Sequence, residues 1–296
     1  MKASTLPKPE QLAALNLSLR AKLIVEGMIA GLHKSPYHGF SAEFLEYRPY
    51  LQGEAARKID WRKFAKTDKT VVRLFEDETN LFANILVDKS ASMKFTSGKF
   101  MSRFEYARTL AASLSAILIK QRDAVGLACF DENLGAYLPP HSTNIQLKNI
   151  FSTLAKLEAS DETRCGLAIE SLARRINRRG MCIIISDLFD DPQEIIRSLR
   201  HLRFKRQDVI LFWILDPFEL DFSSSSSYQM HDLETGRQLM LDGKTASGFF
   251  RDGLQNHKKT IENACKEMQI DFNLICTDES FEKALFRVLE KRKRLF

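Results

Sequence analysis

An α/β fold, a parallel sheet flanked by helices and preceded by an N-terminal helix and β extension, is predicted by three features of the 296-residue sequence. Five short runs are continuously apolar, as strands buried on both faces are. Stretches of helical period separate them, so the chain reads as successive strand–helix units with both sheet faces covered. Before residue 81 the text differs: a helix-period stretch, then short mixed segments rich in charged and aromatic side chains. The chain therefore divides into an extension at 1–80 and an α/β domain at 81–296.

The elements follow in order. Leu12, Leu15, Leu19, Leu23 and Ile24 recur at helical spacing over 10–32, and "GLHKSPYHG" breaks the pattern. "TVVRLFEDE" (70–78) reads as a strand. The five core strands are expected at 81–88, 124–130, 181–188, 207–215 and 270–276. Helices are expected at 102–121, 143–157, 165–179, 192–204, 245–268 and 280–294. "SSSSS" (223–227) reads as a flexible loop, and 228–242 as a hairpin turning at Thr235–Gly236.

Composition narrows the classes of function. The net charge of +6, from 44 basic and 38 acidic residues, is modest and concentrated in "RRINRRG" (174–180) and "KRKRLF" (291–296). Solvated helix ends account for such runs more readily than RNA or lipid binding. Five cysteines without a CxxC pair, three of them in apolar runs, fit reduced thiols and a cytoplasmic setting. The polar start "MKASTLPKPEQ" has no signal-peptide pattern, and no run approaches the ~20 apolar residues of a membrane helix, so no transmembrane segment is expected.

The chemistry-bearing stretch is "NILVDKSASM" (84–93), where an apolar strand ends in Asp88, Ser90 and Ser92. Three oxygens at alternate positions make a hard ligand set of the kind that suits Mg²⁺. Taken alone, the same spacing is met more often by a helix N-cap. A second acid, Asp187, ends the run "MCIIIS", so both carboxylates fall on the carboxyl rim of the sheet, where ligands of open α/β sheets bind. Asp190 and Asp191 lie beyond that strand and read as caps for the helix after Pro192.

"DKSASM" resembles the DxSxS motif of von Willebrand factor A domains, which builds their metal-ion-dependent adhesion site. That resemblance implies a Rossmann-like sheet, a bound Mg²⁺ or Mn²⁺, and two further ligands. "LEASDETRCGLAIESL" (157–172) matches the threonine loop and "IIISDLFDD" (183–191) the later aspartate, which assigns Thr163 and Asp187 to those roles. Upstream, residues 39–78 resemble the signature of the domain of unknown function 58 family through Gly39, Glu43, Phe44, Arg48, Tyr50, Arg57, Ile59, Asp60 and Trp61. One departure is "GEAAR", where that family usually has Gly-Asp-Asp before the arginine. Members are bacterial and commonly associated with MoxR-type AAA+ ATPases.

The resemblance thus implies a non-enzymatic interaction module whose ion takes a carboxylate from an AAA+ ATPase or its client. Physically, Arg48, Arg57 and Asp60 beside a buried Trp61 read as an ion network locking the extension, or else as a docking surface. Two other classes compete. Asp88 is placed like the nucleophile of a haloacid-dehalogenase-type phosphatase, but Ser90 stands where the general acid belongs. Arg174, Arg175, Arg178 and Arg179 offer only weak, non-specific nucleic-acid binding, with no aromatic platform or recognition motif. "DGKTASG" (242–248) is not a phosphate loop, because Gln238 occupies the position of its first glycine.

Overall fold

The computed structural model describes residues 9–33, 44–50, 59, 61–75, 81–160, 163–220, 228–231, 238–241 and 243–295. In chain order the elements are α1 (Pro9–Leu12), α2 (Leu17–His33), β1 (Phe44–Pro49), α3 (Trp61–Thr67), β2 (Val71–Phe75), β3 (Phe82–Asp88) and α4 (Arg103–Lys120). Then come β4 (Ala124–Phe130), β5 (Leu134–His141), α5 (Asn144–Lys156), α6 (Cys165–Arg175), β6 (Gly180–Ser186), α7 (Pro192–Phe204) and β7 (Gln207–Leu215). The last are α8 (Pro217–Leu220), β8 (Tyr228–His231), β9 (Gln238–Leu241), α9 (Gly243–Glu267), β10 (Asp271–Cys276) and α10 (Phe281–Leu295).

Six strands form one sheet in the order β10-β7-β6-β3-β4-β5. The five expected strands are all parallel in it, and β4, β6 and almost all of β3 and β7 are buried, as their unbroken apolar text requires. The architecture is the α/β class expected, a sheet flanked by helices, with one correction. The sheet is not wholly parallel, because β5 pairs antiparallel with β4 at the edge. Its text, "LGAYLPPH", alternates poorly and carries Pro139 and Pro140, which a strand tolerates at an edge where no second neighbour needs the missing N–H.

Helix starts follow local chemistry. Ser102 caps α4 by accepting from the Glu105 amide, and Thr143 caps α5 by accepting from Gln146. Asp191 accepts from Gln193 ahead of α7, with Pro192 in the first turn where it has no N–H to lose. Gly180 opens β6 against the Phe82 carbonyl, and an alanine methyl there would strike that oxygen.

The chain divides into two compact units, one of residues 1–31 and 81–296, the other of residues 32–80. The first helices therefore group with the sheet, whereas the sequence placed all of 1–80 in the extension. Arg20 shows why: buried on α2, it meets Glu105 of α4 at 2.5 Å and donates to the Leu15 and Ala13 carbonyls at 2.7 Å. Between Leu12 and Arg103 no helix–helix spacing rule marks such a pair. Among the described residues no helix is long and apolar enough to cross a membrane.

The second unit, taken by itself, contains the antiparallel pair β1–β2 and the helix α3. Arg48 lies on β1 opposite Val72, and Tyr50 is half-buried with its amide on the Thr70 carbonyl. Gly39, Glu43, Arg57 and Asp60 lie outside the described residues, as do the serine run and the 232–237 turn. The burial expected of Trp61 is overturned: the ring is 55% exposed and meets Phe64 edge-on at 5.9 Å. At the start of a short helix it is largely open to solvent, with Phe64 as its aromatic neighbour among the described residues. Trp61→Ala is therefore expected to change unfolding free energy by about 0.5 kcal/mol or less, as exposed positions do. Gly180→Ala is expected to cost on the order of 1–3 kcal/mol through overpacking. Urea melts of the two variants side by side check both.

Candidate functional site

Register builds the site. Val87 of β3 lies opposite Ile185 of β6, so Asp88 comes level with Ser186, and Ser186 in turn lies opposite Trp213 of β7. All three adjacent strands run out into acids at stepped heights: Asp88 closes β3, Asp187 lies one residue beyond Ser186, and Asp216 lies three residues beyond Trp213, and all are buried on one rim.

Around Asp88 the groups are fixed closely. Its Oδ1 accepts from the Ser90 amide at 2.9 Å, and its Oδ2 accepts from the Ser186 hydroxyl at 2.5 Å. The Ser90 and Ser92 hydroxyls lie 3.1 Å apart, and Ser92 Oγ donates to Asp187 Oδ2 at 2.7 Å. Asp88, Ser90, Ser92 and Asp187, all expected from sequence, thus lie in one hydrogen-bonded cluster. Ser90 begins the 3₁₀ turn Ala91–Lys94 without a side-chain cap, so its hydroxyl is spent on Ser92 and not on an amide.

The turn after Asp187 is held in an unusual shape. Leu188 is left-handed at φ 54°, a costly conformation for a γ-branched residue. Its amide donates to Ser186 Oγ at 2.9 Å, and its carbonyl lies 2.9 Å from His257 Nε2 of α9. These bonds fix where Asp187 sits. The expectation that Asp190 caps α7 needs revision: Asp191 caps that helix, while Asp190 accepts from Gly166 at the start of α6.

Thr163 is buried on the loop leading into α6. That loop is stitched beside Asp88, since the Ser160 amide donates to the Lys89 carbonyl at 2.8 Å and the Arg164 amide to the Asp131 carbonyl at 3.2 Å. Two residues on, the buried Cys165 thiol is pushed well above its ordinary value, by burial first and then by the Asp88 charge. It is no thiolate.

Three rim residues escaped the sequence reading. Asp216 carries the same signal as Asp88 and Asp187, an apolar run closing on an acid, and was legible by that rule. It accepts from the Ser97 amide at 2.9 Å and from Phe218 at 2.9 Å. Glu219 on α8 accepts from the Asp216 amide at 2.8 Å. Arg103, the first residue of α4, lies between Asp187 Oδ2 at 3.2 Å and Glu219 Oε1 at 3.0 Å, and donates to the Ser92 carbonyl at 2.5 Å. A cation at the positive end of a helix dipole is misplaced by the usual rule, and that misplacement was its only sequence signal.

The charge balance is uneven. Asp187 has Arg103, whereas among the described residues no cation pairs with Asp88, because Lys89 turns to Asp131. Burial, and then the Asp187 charge, push Asp88 up to about 7 against the hydrogen bonds from Ser186 and Ser90. Burial likewise raises Glu219 to about 7, with Arg103 opposing. Among the described residues no three His, Cys, Asp or Glu side chains converge as a metal-binding group. The donor set is two carboxylates and hydroxyls only, which fits a hard cation such as Mg²⁺ that keeps part of its water.

The family described as "Protein of unknown function DUF58" matches residues 46–262. Uncharacterized protein Rv1480 of Mycobacterium tuberculosis is 25% identical over 292 residues, 97% of this chain and 91% of that protein. Uncharacterized protein MAV169 of Mycobacterium avium is 26% identical over 129 residues, 43% of this chain and 75% of its own. Among solved structures, conserved hypothetical protein BatB from Bacteroides thetaiotaomicron aligns with a TM-score of 0.48 at 16% identity, over 72% of this chain and 99% of that one. The SpRpn10 VWA domain aligns with a TM-score of 0.43 at 14% identity, over 70% and 94% of the two chains.

A pH dependence follows from Asp88. Between its ordinary value of 3.8 and its folded value of about 7, the metal-free folded protein holds a proton there that the unfolded chain has lost. Stability in EDTA is therefore expected to fall as pH rises through this window and to level off above it. Glu219 contributes with the same sign. Asp88→Asn should flatten part of the fall in urea midpoints measured from pH 4 to 8. Parallel profiles for wild type and variant would contradict the assignment.

Proposed function

The chain belongs to the DUF58 family, and from that premise we propose that it is a non-enzymatic protein-interaction module whose rim site takes Mg²⁺ or Mn²⁺. Asp88, Ser90, Ser92, Thr163 and Asp187 would hold the ion, and a carboxylate from the partner would complete its shell. The observation that carries this reading is the buried rim cluster in which, among the described residues, no cation pairs with Asp88. A divalent ion supplies the missing positive charge and turns a desolvation cost into a bond. This chain's residues do the rest: Ser186 and the Ser90 amide orient Asp88, and the left-handed Leu188 aims Asp187.

The proposed partner is a MoxR-type AAA+ ATPase or one of its clients, in a reducing, cytoplasmic setting consistent with five free and buried cysteines. A second contact surface is favoured by the exposed Trp61 of the signature stretch, which has the amphipathic bulk that anchors interfaces. The alternatives draw less support. The phosphatase reading needs an acid two residues after Asp88, and Ser90 is bonded there to Ser92. The basic runs are occupied structurally. Arg175 and Arg178 lie over Tyr137 and Phe82, Arg174 meets Glu170, Lys291 meets Asp271, and Arg292 meets Asp123.

Binding is expected in the micromolar to millimolar range, from few charges and retained water. Added Mg²⁺ should raise the melting temperature of wild type by mass action. The double variant Ser90→Ala, Ser92→Ala should melt near wild type in EDTA, lose that gain, and drop Mg²⁺-dependent capture of the co-expressed ATPase to the EDTA background. Unchanged capture by the double variant would end the adhesion-site mechanism.

A further inference from the structure

Arg103 is a buried cation set directly against the proposed ion site. Its side chain is 3% exposed, with the guanidinium 5.2 Å from the Phe95 ring centre and 5.3 Å from that of Phe189. One nitrogen bridges Asp187 and Glu219, the other holds the Ser92 carbonyl, and Nε is buried without a partner. Asp187 Oδ2 thus receives the Ser92 hydroxyl and the guanidinium at once.

An incoming divalent ion and this guanidinium draw on the same Asp187 carboxylate, whose Oδ1 accepts, among the described residues, only from the Phe189 amide at 3.3 Å, and they repel each other. Glu219 offers the guanidinium a second carboxylate that it already touches. We propose that Arg103 is a resident counter-ion that competes with the metal for Asp187 and that Glu219 draws away when the metal binds. The proposal rests on the metal reading above and deepens it. It makes Arg103 and Glu219 positioning residues that hold intrinsic affinity low, so that the ion is retained firmly only when a partner's carboxylate adds its charge.

The sign of one substitution separates this from a structural role. An arginine that merely braces Asp187 would, when lost, loosen the site and weaken metal binding. A competitor, when lost, strengthens it. Titration of the full-length, EDTA-stripped protein with Mn²⁺, read by the electron paramagnetic resonance of the free ion, measures the dissociation constant. Arg103→Met is expected to tighten binding by about tenfold or more, the effect of removing a like charge within ~4–6 Å. Arg103→Lys, which keeps the charge, should stay close to wild type, and Glu219→Gln should bind more weakly.

If the lone buried carboxylates keep Arg103→Met from folding, the double variant Arg103→Met, Glu219→Gln removes a buried pair together, which proteins tolerate. It too should bind more tightly than wild type, whereas loss of the Glu219 charge alone predicts the opposite. Binding by folded neutral variants that is equal to or weaker than wild type overturns the proposal while leaving the metal site standing. Binding seen in a neutral variant but not in wild type supports it. No Mn²⁺ binding by wild type or any variant overturns the metal reading, and this inference with it.

Discussion

Three carboxylates buried side by side at the ends of adjacent strands are the constraint around which the rim is organised. Parallel register puts them on one rim at stepped heights: β3, β6 and β7 run in step, with Asp187 one residue and Asp216 three residues beyond the level of Asp88. A buried carboxylate must be hydrogen-bonded, paired or protonated. Each acid meets that demand differently. Asp216 collects the amides of Ser97 and Phe218 and the Ser97 hydroxyl. Asp187 takes Arg103 and Ser92. Asp88 has one amide and one hydroxyl, and burial raises its carboxyl to about 7. The cation-poor member is the one at the head of the serine motif.

The opposite end of the sheet obeys the same rule with a different solution. Asp123, just before β4, is gripped by Arg292 of α10 through two bonds of 2.5 and 2.9 Å and accepts from the Leu81 amide. Here the charge is satisfied within the chain, by a helix some 170 residues away in sequence, at separation 169. The contrast is informative. The fold can supply a guanidinium to a buried aspartate, as it does for Asp123 with Arg292 and for Asp187 with Arg103. Beside Asp88 in sequence, Lys89 is turned away to Asp131.

Most of the sheet was legible because periodicity is a local property: each central strand is apolar throughout and each helix repeats at its own period. What escaped was set by tertiary pairing. The edge strand β5 has no periodicity and two prolines, and only its neighbour β4 makes it a strand. The first helices join the sheet unit through Arg20 and Glu105, 85 residues apart. Trp61 was read as buried because a large apolar ring is usually inside, yet it opens a seven-residue helix too short to cover it. At the site, strand-end acids and alternating serines were visible, since position in a strand fixes the rim they face. Arg103 and Glu219 were not, because nothing in "MSRFEYA" or "DPFEL" announces that the two meet.

Apart from Asp88 and the Ser186 hydroxyl bonded to it, several polar groups on this rim are tied down. Cys165 is held as a thiol by burial and by the neighbouring Asp88 charge, which removes the usual nucleophile. His257 lies against the Leu188 carbonyl and tilted at 5.6 Å from the Trp213 ring, so its Nε2 is engaged in shaping the Asp187 turn. Ser92 gives its proton to Asp187, a carboxylate that already shares Arg103. A serine activated for attack needs a base free to take its proton, and a carboxylate stabilised by a guanidinium is a poor one. The same bonds serve a different end well. They fix oxygens in place around a rim where, among the described residues, no cation pairs with Asp88, which is the geometry the proposed ion site draws on.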